Sequence, residues 1–370
     1  MPAPHPAVRA ERDALIALAH CLEPGDARTG RLVARSGAVR ALAGLRGGSA
    51  DRQEGLRARL ADFSLDDALA AAHAAGARII TRVDREWPTQ LDDLGDQTPF
   101  ALWAIGAADL RLLALRSVAV VGARACTPYG EEVARGWAAD LAADRWTVLS
   151  GGAFGIDAAA HRGALAAGGA TVCVLAGGVD VPYPRAHDAL IARIADDGLV
   201  VSETPPGEPV RRQRFLSRNR VIAALCRATL VVEAAERSGT TATARSAAAL
   251  NRIVMAVPGP VTSPASAGCH RMIRDGEAIL VSTAADVMDL LDLERTARAR
   301  APGGASARDR LGDRERLLLD AFPRRGTADL ERLVLGSGLA TADAAAALGL
   351  LEADGWVLGD GRGWRLVRLE

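Results

Sequence analysis

The sequence contains no lysine, and all 45 residues in its lysine-plus-arginine count are arginine. Because 45 aspartate and glutamate residues balance them, the formal net charge is zero. A neutral chain has no long-range field that attracts polyanions, so any contact with nucleic acid has to come from a local patch. The composition therefore directs attention to the places where arginine clusters.

The cysteines form no CxxC pair and lie far apart, at positions 21, 126, 173, 226 and 269. This spacing argues against a zinc site and a disulfide framework, and it fits a reducing cytosol. The N-terminus is unlike a secretory signal, because charged residues precede any long apolar run: Arg9, Glu11, Arg12 and Asp13. The uncharged run at 163–179 is short for a membrane span. We therefore predict a cytoplasmic protein with no bound metal and no membrane segment.

The chain divides into four segments by composition and pattern. Helical spacing of apolar residues, broken by glycine, predicts a small helical module of the SAM or helix-hairpin-helix type over residues 1–76. A domain follows over 77–292, and a polar stretch with proline, glycine and serine predicts a linker at 293–307. Residues 308–370 show three helical patterns and a hairpin pattern, which is typical of a winged helix.

Short apolar runs alternate with helical runs from Ser117 to the end of the second segment. The apolar runs are rich in valine and do not alternate with polar residues, as expected for strands of a parallel sheet covered on both faces. We therefore predict an α/β fold with a doubly wound parallel sheet, whose ligands bind at the carboxyl ends of the strands. The preceding connecting segment holds two short strand candidates, at 79–81 and 102–105.

An arginine-rich stretch, residues 211–251, is the strongest candidate for a binding site. Five of its first ten residues are arginine and one is phenylalanine: Arg211, Arg212, Arg214, Phe215, Arg218 and Arg220. Guanidinium groups beside an aromatic ring suit a sugar-phosphate backbone with bases that stack. A solvated arginine loop with Phe215 buried as a core residue explains this stretch alone equally well. We place the start of its first helix at Ser217.

Three strand ends carry groups that suit an anion. Arg124 follows the first strand of the alternating region, Ser150, Gly151 and Gly152 follow the second, and Ser238, Gly239 and Thr240 open a later helix. Glycine lets the backbone approach a ligand closely, and amides at a helix start attract negative charge. The loop after the first strand is not GxGxxG, and the second strand ends in serine where a ribose-binding carboxylate is needed. We therefore predict no dinucleotide cofactor.

The sequence shows no set of residues that predicts catalysis. It has no P-loop, no Ser-His-Asp order and no cluster of carboxylates. Asp157 and His161 lie four residues apart on one helix, and we expect a hydrogen bond between them rather than an acid–base pair. These absences favour a binding protein over an enzyme.

Motifs in a fixed order resemble those of the DNA-processing protein A family, DprA or Smf. They are GARACTPYG, SGGAFGIDAAAH, DVPYP, SETPPG, FLSRNRVIAAL, VVEAAERSGTTATA, MAVPGP and GCHRMIRDGEA. The resemblance covers residues 78 to about 291. It implies an extended Rossmann-like domain that binds single-stranded DNA, forms a homodimer through that domain, protects incoming DNA and helps to load RecA recombinase in natural transformation.

The resemblance also assigns DNA-binding residues. The arginine of the GxR motif is Arg124, and the F-x-x-R-N-R motif contributes Phe215, Arg218, Asn219 and Arg220. About four neutralised phosphates predict a log–log salt slope near −3 for a single strand. The sequence departs from the family at Leu216, where proline is usual, and at His187 and His270, where asparagine is frequent.

An enzymatic alternative remains open at this stage. Glu233 precedes a Ser-Gly-Thr-Thr turn, which partly resembles the PGGxGTxxE loop of Rossmann relatives that cleave nucleoside monophosphates. The acid here lies before the turn instead of after it.

In the winged-helix segment, the third helix pattern, 341–354, has no basic residue. We therefore expect that segment to bind another protein or to pack against this one, rather than to enter a DNA groove.

Overall fold

A computed structural model describes residues 5–47, 54–236, 239–291, 311–323, 326–359, 361 and 363–367. The chain forms two compact units, Met1–Asp292 and Leu293–Glu370. The predicted linker at 293–307 and the predicted site residue Ser238 lie outside the described residues, so both stay predictions.

A mostly parallel sheet forms the centre of the first unit. Its strands are β1 (Arg78–Thr81), β2 (Ala101–Ile105), β3 (Ser117–Val121), β4 (Thr147–Ser150), β5 (Thr171–Leu175), β6 (Leu199–Ser202), β7 (Ala228–Val231), β8 (Ile253–Ala256) and β9 (Ile279–Leu280). In the described residues these nine strands are ordered β1-β2-β6-β5-β4-β3-β7-β8-β9. The chain leaves β3 toward β4 and later returns on the other side of β3 to form β7, so the predicted doubly wound α/β fold is confirmed.

The two strand candidates in the connecting segment extend the sheet instead of standing apart from it. β1 pairs with β2, and β2 pairs with β6, both antiparallel, with Trp103 opposite Ser202. The parallel region therefore runs only from β6 to β9. An antiparallel strand can pair without a crossover helix, which is why this segment lacks the alternating pattern of the parallel strands.

Helices cover both faces of the sheet. Those of the first unit are α1 (Pro6–Cys21), α2 (Ala27–Ser36), α3 (Ala38–Gly47), α4 (Glu54–Asp62), α5 (Leu65–Ala74), α6 (Leu110–Leu115), α7 (Pro128–Ala143), α8 (Ile156–Ala166), α9 (Asp188–Asp197), α10 (Arg212–Leu225), α11 (Thr240–Ala249), α12 (Ala267–Arg274) and α13 (Ala284–Leu291). Ala119 and Val121 pack toward α10, α11 and α12, whereas Val120 packs toward α7, α8 and α13. β3, in the middle of the parallel region, is therefore buried on both sides, whereas both residues of the edge strand β9 are exposed.

The N-terminal helices share a hydrophobic core with the sheet. Leu15, Ile16 and Leu18 of α1 belong to the same buried cluster as Trp103 of β2 and Val200 of β6. Local signals shape these helices, since the Asp26 carboxylate accepts the Thr29 amide at 2.8 Å and begins α2. The helices predicted over residues 1–76 are present, but they pack as part of the Met1–Asp292 unit.

The second unit contains, in its described part, three helices and a hairpin. The helices are Asp313–Asp320, Leu330–Ser337 and Thr341–Ala353, and the strands Val357–Gly359 and Trp364–Leu366 pair antiparallel. Leu318, Leu333, Leu351 and Val357 lie in its own core. The elements follow the predicted order, and their assignment as a winged helix stays a prediction.

No single helix among the described residues is long and apolar enough to cross a membrane. Helices Leu330–Ser337 and Thr341–Ala353 meet that requirement of length and composition only when counted together, and they are bent by 108°.

Candidate nucleic-acid interface

An open crevice lies where the loops after β3 and β7 diverge, at the carboxyl ends of the strands. This is the point where the strand order reverses, and ligands of doubly wound sheets bind at such points. The crevice has a volume of about 650 Å³, within the range of ligand pockets. Its lining includes seven predicted site residues: Arg124, Arg212, Phe215, Arg218, Asn219, Gly239 and Thr240.

Arg124 and Phe215 meet at this crevice from different elements. Arg124 follows β3 and is exposed, while Phe215 lies in the first turn of α10 and is half-buried. The Arg124 guanidinium carbon lies 4.8 Å from the centre of the Phe215 ring, and Tyr183 packs against the same ring edge-to-face at 5.6 Å. Among the described residues, no acceptor pairs with the Arg124 guanidinium. A cation held over a ring in this way stays available to a phosphate.

Arg218 lines the crevice but is engaged by the protein. Its Nη1 donates to the carbonyls of Gly151 and Val174 at 2.7 and 2.6 Å, and its Nε donates to Asn219 Oδ1 at 3.1 Å. Burial lowers the pKa of Arg218, yet guanidinium stays charged in proteins. Arg218 therefore fixes the glycine loop and orients Asn219, whose amide nitrogen has no acceptor in the described part of the chain.

The glycine loop after β4 uses several of its polar groups internally. Ser150 Oγ donates to the Val120 carbonyl at 2.7 Å, and the Asp157 carboxylate accepts the amides of Gly151 and Ala153 at 3.1 and 3.3 Å. A side chain at Gly151 would overlap the Arg218 guanidinium. The sequence prediction that Ser150, Gly151 and Gly152 bind the anion directly differs from this arrangement, in which the loop holds its neighbours in place.

The expected hydrogen bond between Asp157 and His161 is absent. Asp157 is occupied by the loop amides, and His161 Nδ1 lies 2.7 Å from Thr171 Oγ1. Burial is the main cause that lowers the pKa of His161 to about 3. Burial also raises the pKa of Asp157, while the charge of Arg218 acts in the opposite direction. A neutral imidazole locked against Thr171 is a packing residue, not a general base.

Three of the predicted DNA-binding arginines point away from the crevice. Arg214 is 5% exposed and donates to Glu23 and Glu208, and Arg211 also pairs with Glu23, at 3.0 Å. Arg220 forms a buried pair with Glu203, with Nη2 to carboxylate distances of 2.5 and 2.6 Å, and Glu203 also accepts the Gly25 amide at 3.2 Å. These three arginines tie the N-terminal helices to α10. The structure thus places Arg214 and Arg220 in buried structural contacts and leaves Arg211 exposed beside Glu23, and the role of these three arginines in DNA binding stays a prediction.

The Gly-Thr turn that begins α11 lies at the crevice as predicted. Gly239 and Thr240 line it, and Thr240 is the first residue of α11. Leu216 and Ile222 also line the crevice but were absent from the sequence prediction. Leu216 is 61% exposed. Its spacing from Arg212 on one helix face could have identified it if the helix had been started at the correct residue.

Comparison with known proteins identifies the family. The family model described as DNA recombination-mediator protein A matches residues 78–292, more than half of the chain. The chain belongs to this family. A Mycobacterium tuberculosis (strain H37Rv) protein that carries the name DNA processing protein DprA is 44% identical over 366 residues, covering 95% of this chain and 93% of that protein. The resemblance to the DprA/Smf family is confirmed.

Solved structures of family members share the fold. The X-ray structure of DNA processing protein A from Streptococcus pneumoniae aligns with a TM-score of 0.61 at 31% identity, covering 78% of this chain and 98% of that one. The structure of the Helicobacter pylori protein, described as showing a unique single-stranded DNA binding mode, aligns with a TM-score of 0.53 at 26% identity, covering 60% of this chain and 98% of that one. The extended Rossmann-like core predicted from the motifs is therefore confirmed.

Two histidines stand where the family resemblance led us to expect asparagine, and each makes a polar contact. His187 Nδ1 lies 3.0 Å from the Gly152 carbonyl, and His270 Nε2 lies 3.0 Å from the Gly259 carbonyl. Each imidazole nitrogen can donate to a carbonyl as an amide nitrogen does. Both loops are thus fixed by a side chain of a different type.

The carboxylate of Glu233 does not reach the crevice. It accepts the Thr127 amide and hydroxyl at 2.9 and 2.6 Å and lies against Gly130 at the start of α7. Asp157 is the one carboxylate among the described residues that line the crevice, and it is held by loop amides. The enzymatic alternative depended on Glu233 as the acid, so this geometry gives that alternative no support.

Proposed function

We propose that this protein binds single-stranded DNA in the crevice at the carboxyl ends of β3 and β7. The observation that carries the proposal is the Arg124 guanidinium over the half-buried Phe215 ring, 4.8 Å from its centre. Arg124 contacts a phosphate, while the face of Phe215 and the neighbouring Tyr183 take a base. Base stacking on an aromatic side chain contributes roughly 1–3 kcal/mol per base.

The charge of the crevice supports a polyanionic ligand. Arg124 and Arg212 have guanidinium groups without a protein acceptor in the described part of the chain, and the carboxylate of Asp157 is already bound by amides. Two neutralised phosphates give a log–log salt slope of about −1.4 for a strand confined to the crevice. This is shallower than the slope near −3 expected from the sequence, because four of the six predicted arginines, Arg211, Arg214, Arg218 and Arg220, are engaged by protein acceptors.

Sequence preference is expected to be weak. Backbone contacts and stacking carry little base identity, and base edges are read by groups placed in a duplex groove. The crevice offers Asn219 as a side-chain amide and Thr240 as a hydroxyl. The single-stranded DNA binding mode described for the Helicobacter pylori relative supports the same class of ligand.

We further propose the cellular role that the family resemblance implies. The protein protects incoming single-stranded DNA and helps to load RecA recombinase in natural transformation, as a cytoplasmic homodimer formed through the Rossmann-like domain, without catalysis or a cofactor. The family description, a DNA recombination mediator, supports this role. A measurement of RecA ATP hydrolysis on DNA coated with single-strand-binding protein tests it: loading requires the rate to rise when this protein is added.

The binding experiment compares three proteins on labelled oligo-dT across a salt series. Arg124→Ala removes one of the two unpaired guanidinium groups, so its slope should be shallower than that of the wild type by about 0.7. Arg227→Ala is the matched control, because Arg227 is also exposed but lies at the amino end of β7, whereas the crevice lies at the carboxyl ends of the strands. Equal affinity and slope in the wild type and Arg124→Ala would place the DNA site outside this crevice.

A further inference from the structure

A second concave surface begins where the crevice ends. Its volume is about 540 Å³, and it shares Arg124 and Ala125 with the crevice. On the glycine loop, Ala153 lines the crevice and the next residue, Phe154, lines the second surface. The two surfaces are therefore continuous across Arg124.

Phe154 presents an aromatic ring on the second surface. The side chain is 49% exposed, although the loop that carries it is already held by Asp157 and Arg218. The loop therefore does not need this ring for its own closure. The ring packs edge-to-face on His187 at 4.8 Å, and His187 is itself fixed by the Gly152 carbonyl. A ring held in this way can offer a face to a ligand, and its side chain loses little conformational entropy when the ligand binds.

The second surface also carries positive charge. Arg162 on α8 lines it and is exposed, with no acceptor among the described residues. With Arg124 it makes two guanidinium groups against one lining carboxylate, Glu131. An aromatic ring flanked by arginines repeats, on the other side of Arg124, the combination found at Phe215. This repetition favours a strand that continues past Arg124 over a separate small molecule.

We propose that the second surface is a further nucleotide subsite for the same single strand, with a base stacked on Phe154 and a phosphate on Arg162. This inference rests on the proposed function of the crevice. It extends the footprint of the strand beyond the residues that the family motifs assign.

The test measures affinity for oligo-dT from about 4 to about 16 nucleotides, the range of single-strand site sizes. The shortest oligonucleotide that the wild type binds defines occupancy of the crevice alone. Phe154→Ala should bind that oligonucleotide normally and lose about fivefold or more in affinity for the longest one, since stacking is worth roughly 5- to 150-fold. Phe215→Ala should lose affinity at every length.

Two further variants separate stacking from packing. Phe154→Tyr keeps the ring and should bind as the wild type does, whereas Phe154→Leu keeps apolar bulk beside His187 and should behave like Phe154→Ala. A 2-aminopurine base moved stepwise along the longest oligonucleotide should be quenched at one position beyond the crevice in the wild type. That quenching should disappear in Phe154→Leu.

Arg162→Ala provides a test of charge that does not depend on the ring. It should make the salt slope shallower by about 0.7 for the longest oligonucleotide only, and Arg227→Ala should leave the slope unchanged at every length. Wild-type affinity and quenching in Phe154→Leu, or an unchanged slope in Arg162→Ala, would overturn the subsite and leave the crevice standing. Failure of the wild type to bind any length would instead reject the proposed function.

Discussion

Arg214→Ala should destabilise the protein and leave the proposed DNA-binding crevice intact. The sequence motif places Arg214 beside Phe215, where a phosphate contact is expected, but the side chain turns toward the N-terminal helices. Its Nε and Nη2 each donate to Glu23 at 2.9 Å, and its Nη1 donates to Glu208 at 3.0 Å and to the Pro209 carbonyl at 3.2 Å.

The size of the effect follows from these contacts. A hydrogen bond to a charged group contributes roughly 1.5–3 kcal/mol, and Arg214 donates three to carboxylates. The full sum does not apply, because the Glu23 and Glu208 side chains are 37% and 40% exposed and water replaces their lost partner. We therefore expect the free energy of unfolding to fall by about 2–3 kcal/mol for Arg214→Ala. The exposed contact of Arg124 with Phe215 is worth only about 0.5–1 kcal/mol.

Measurements on both variants give opposite results if the assignment is correct. Urea unfolding followed by circular dichroism should show a large loss of stability for Arg214→Ala and a small one for Arg124→Ala. Binding to oligo-dT below the unfolding transition should be weakened by Arg124→Ala and nearly unchanged in Arg214→Ala. A stable Arg214→Ala protein with weakened DNA binding would refute the assignment of Arg214 to the contact with the N-terminal helices.

Three further results are expected. Gly151→Ala should lower both stability and DNA affinity, because the added Cβ displaces the Arg218 guanidinium; urea unfolding and oligo-dT titration measure both effects. The hydrogen bond from Arg214 lowers the pKa of Glu23. The stabilisation that the Glu23–Arg214 contact gives the folded protein is therefore present above about pH 4.3 and is lost as the pH falls through the pKa of Glu23 in the folded state. The difference in unfolding free energy between the wild type and Glu23→Gln should therefore shrink in acid. Deleting residues 308–370 should leave oligo-dT binding intact, and lost binding by a folded product would contradict this.

The alternation of strands and helices from Ser117 onward could be predicted from the sequence because most strands of the parallel region are apolar and buried. The apolar runs at 147–150 and 199–202, for example, form β4 and β6. The role of β1 and β2 could not be predicted, because antiparallel strands need no crossover helix and so leave no alternating strand–helix pattern in the sequence. The packing of α1 on the sheet could not be predicted either, since its apolar stripe predicts burial but does not indicate which element it packs against.

Prediction of the site was limited by partners that are distant in the chain. Glu23 lies far from Arg214 in sequence, and no local pattern links them. The internal contacts of the glycine loop could not be predicted for a related reason. Its glycine spacing matches an anion-binding turn, but the Asp157 carboxylate one helical turn later takes up the amides of Gly151 and Ala153. An acid close behind a glycine loop is a signal that the loop closes on itself.

The helical period of α10 puts the structural contacts of the arginine-rich stretch and its proposed DNA contacts on different sides of the helix. The sequence placed the helix start at Ser217, but α10 begins at Arg212. From that start, Arg212, Phe215, Leu216 and Asn219 are spaced i, i+3, i+4 and i+7 and share one face, which is the face that lines the crevice.

Arg214 and Arg218 lie on the buried side of the same helix. Their guanidinium groups are held by Glu23, Glu208 and the loop carbonyls, which fixes the helix against both the N-terminal helices and the glycine loop. A cluster of arginines therefore does not neutralise one phosphate per residue. We expect that helical geometry leaves one side of the helix to the ligand and uses the other to stabilise the fold, so the salt slope should report the exposed side alone.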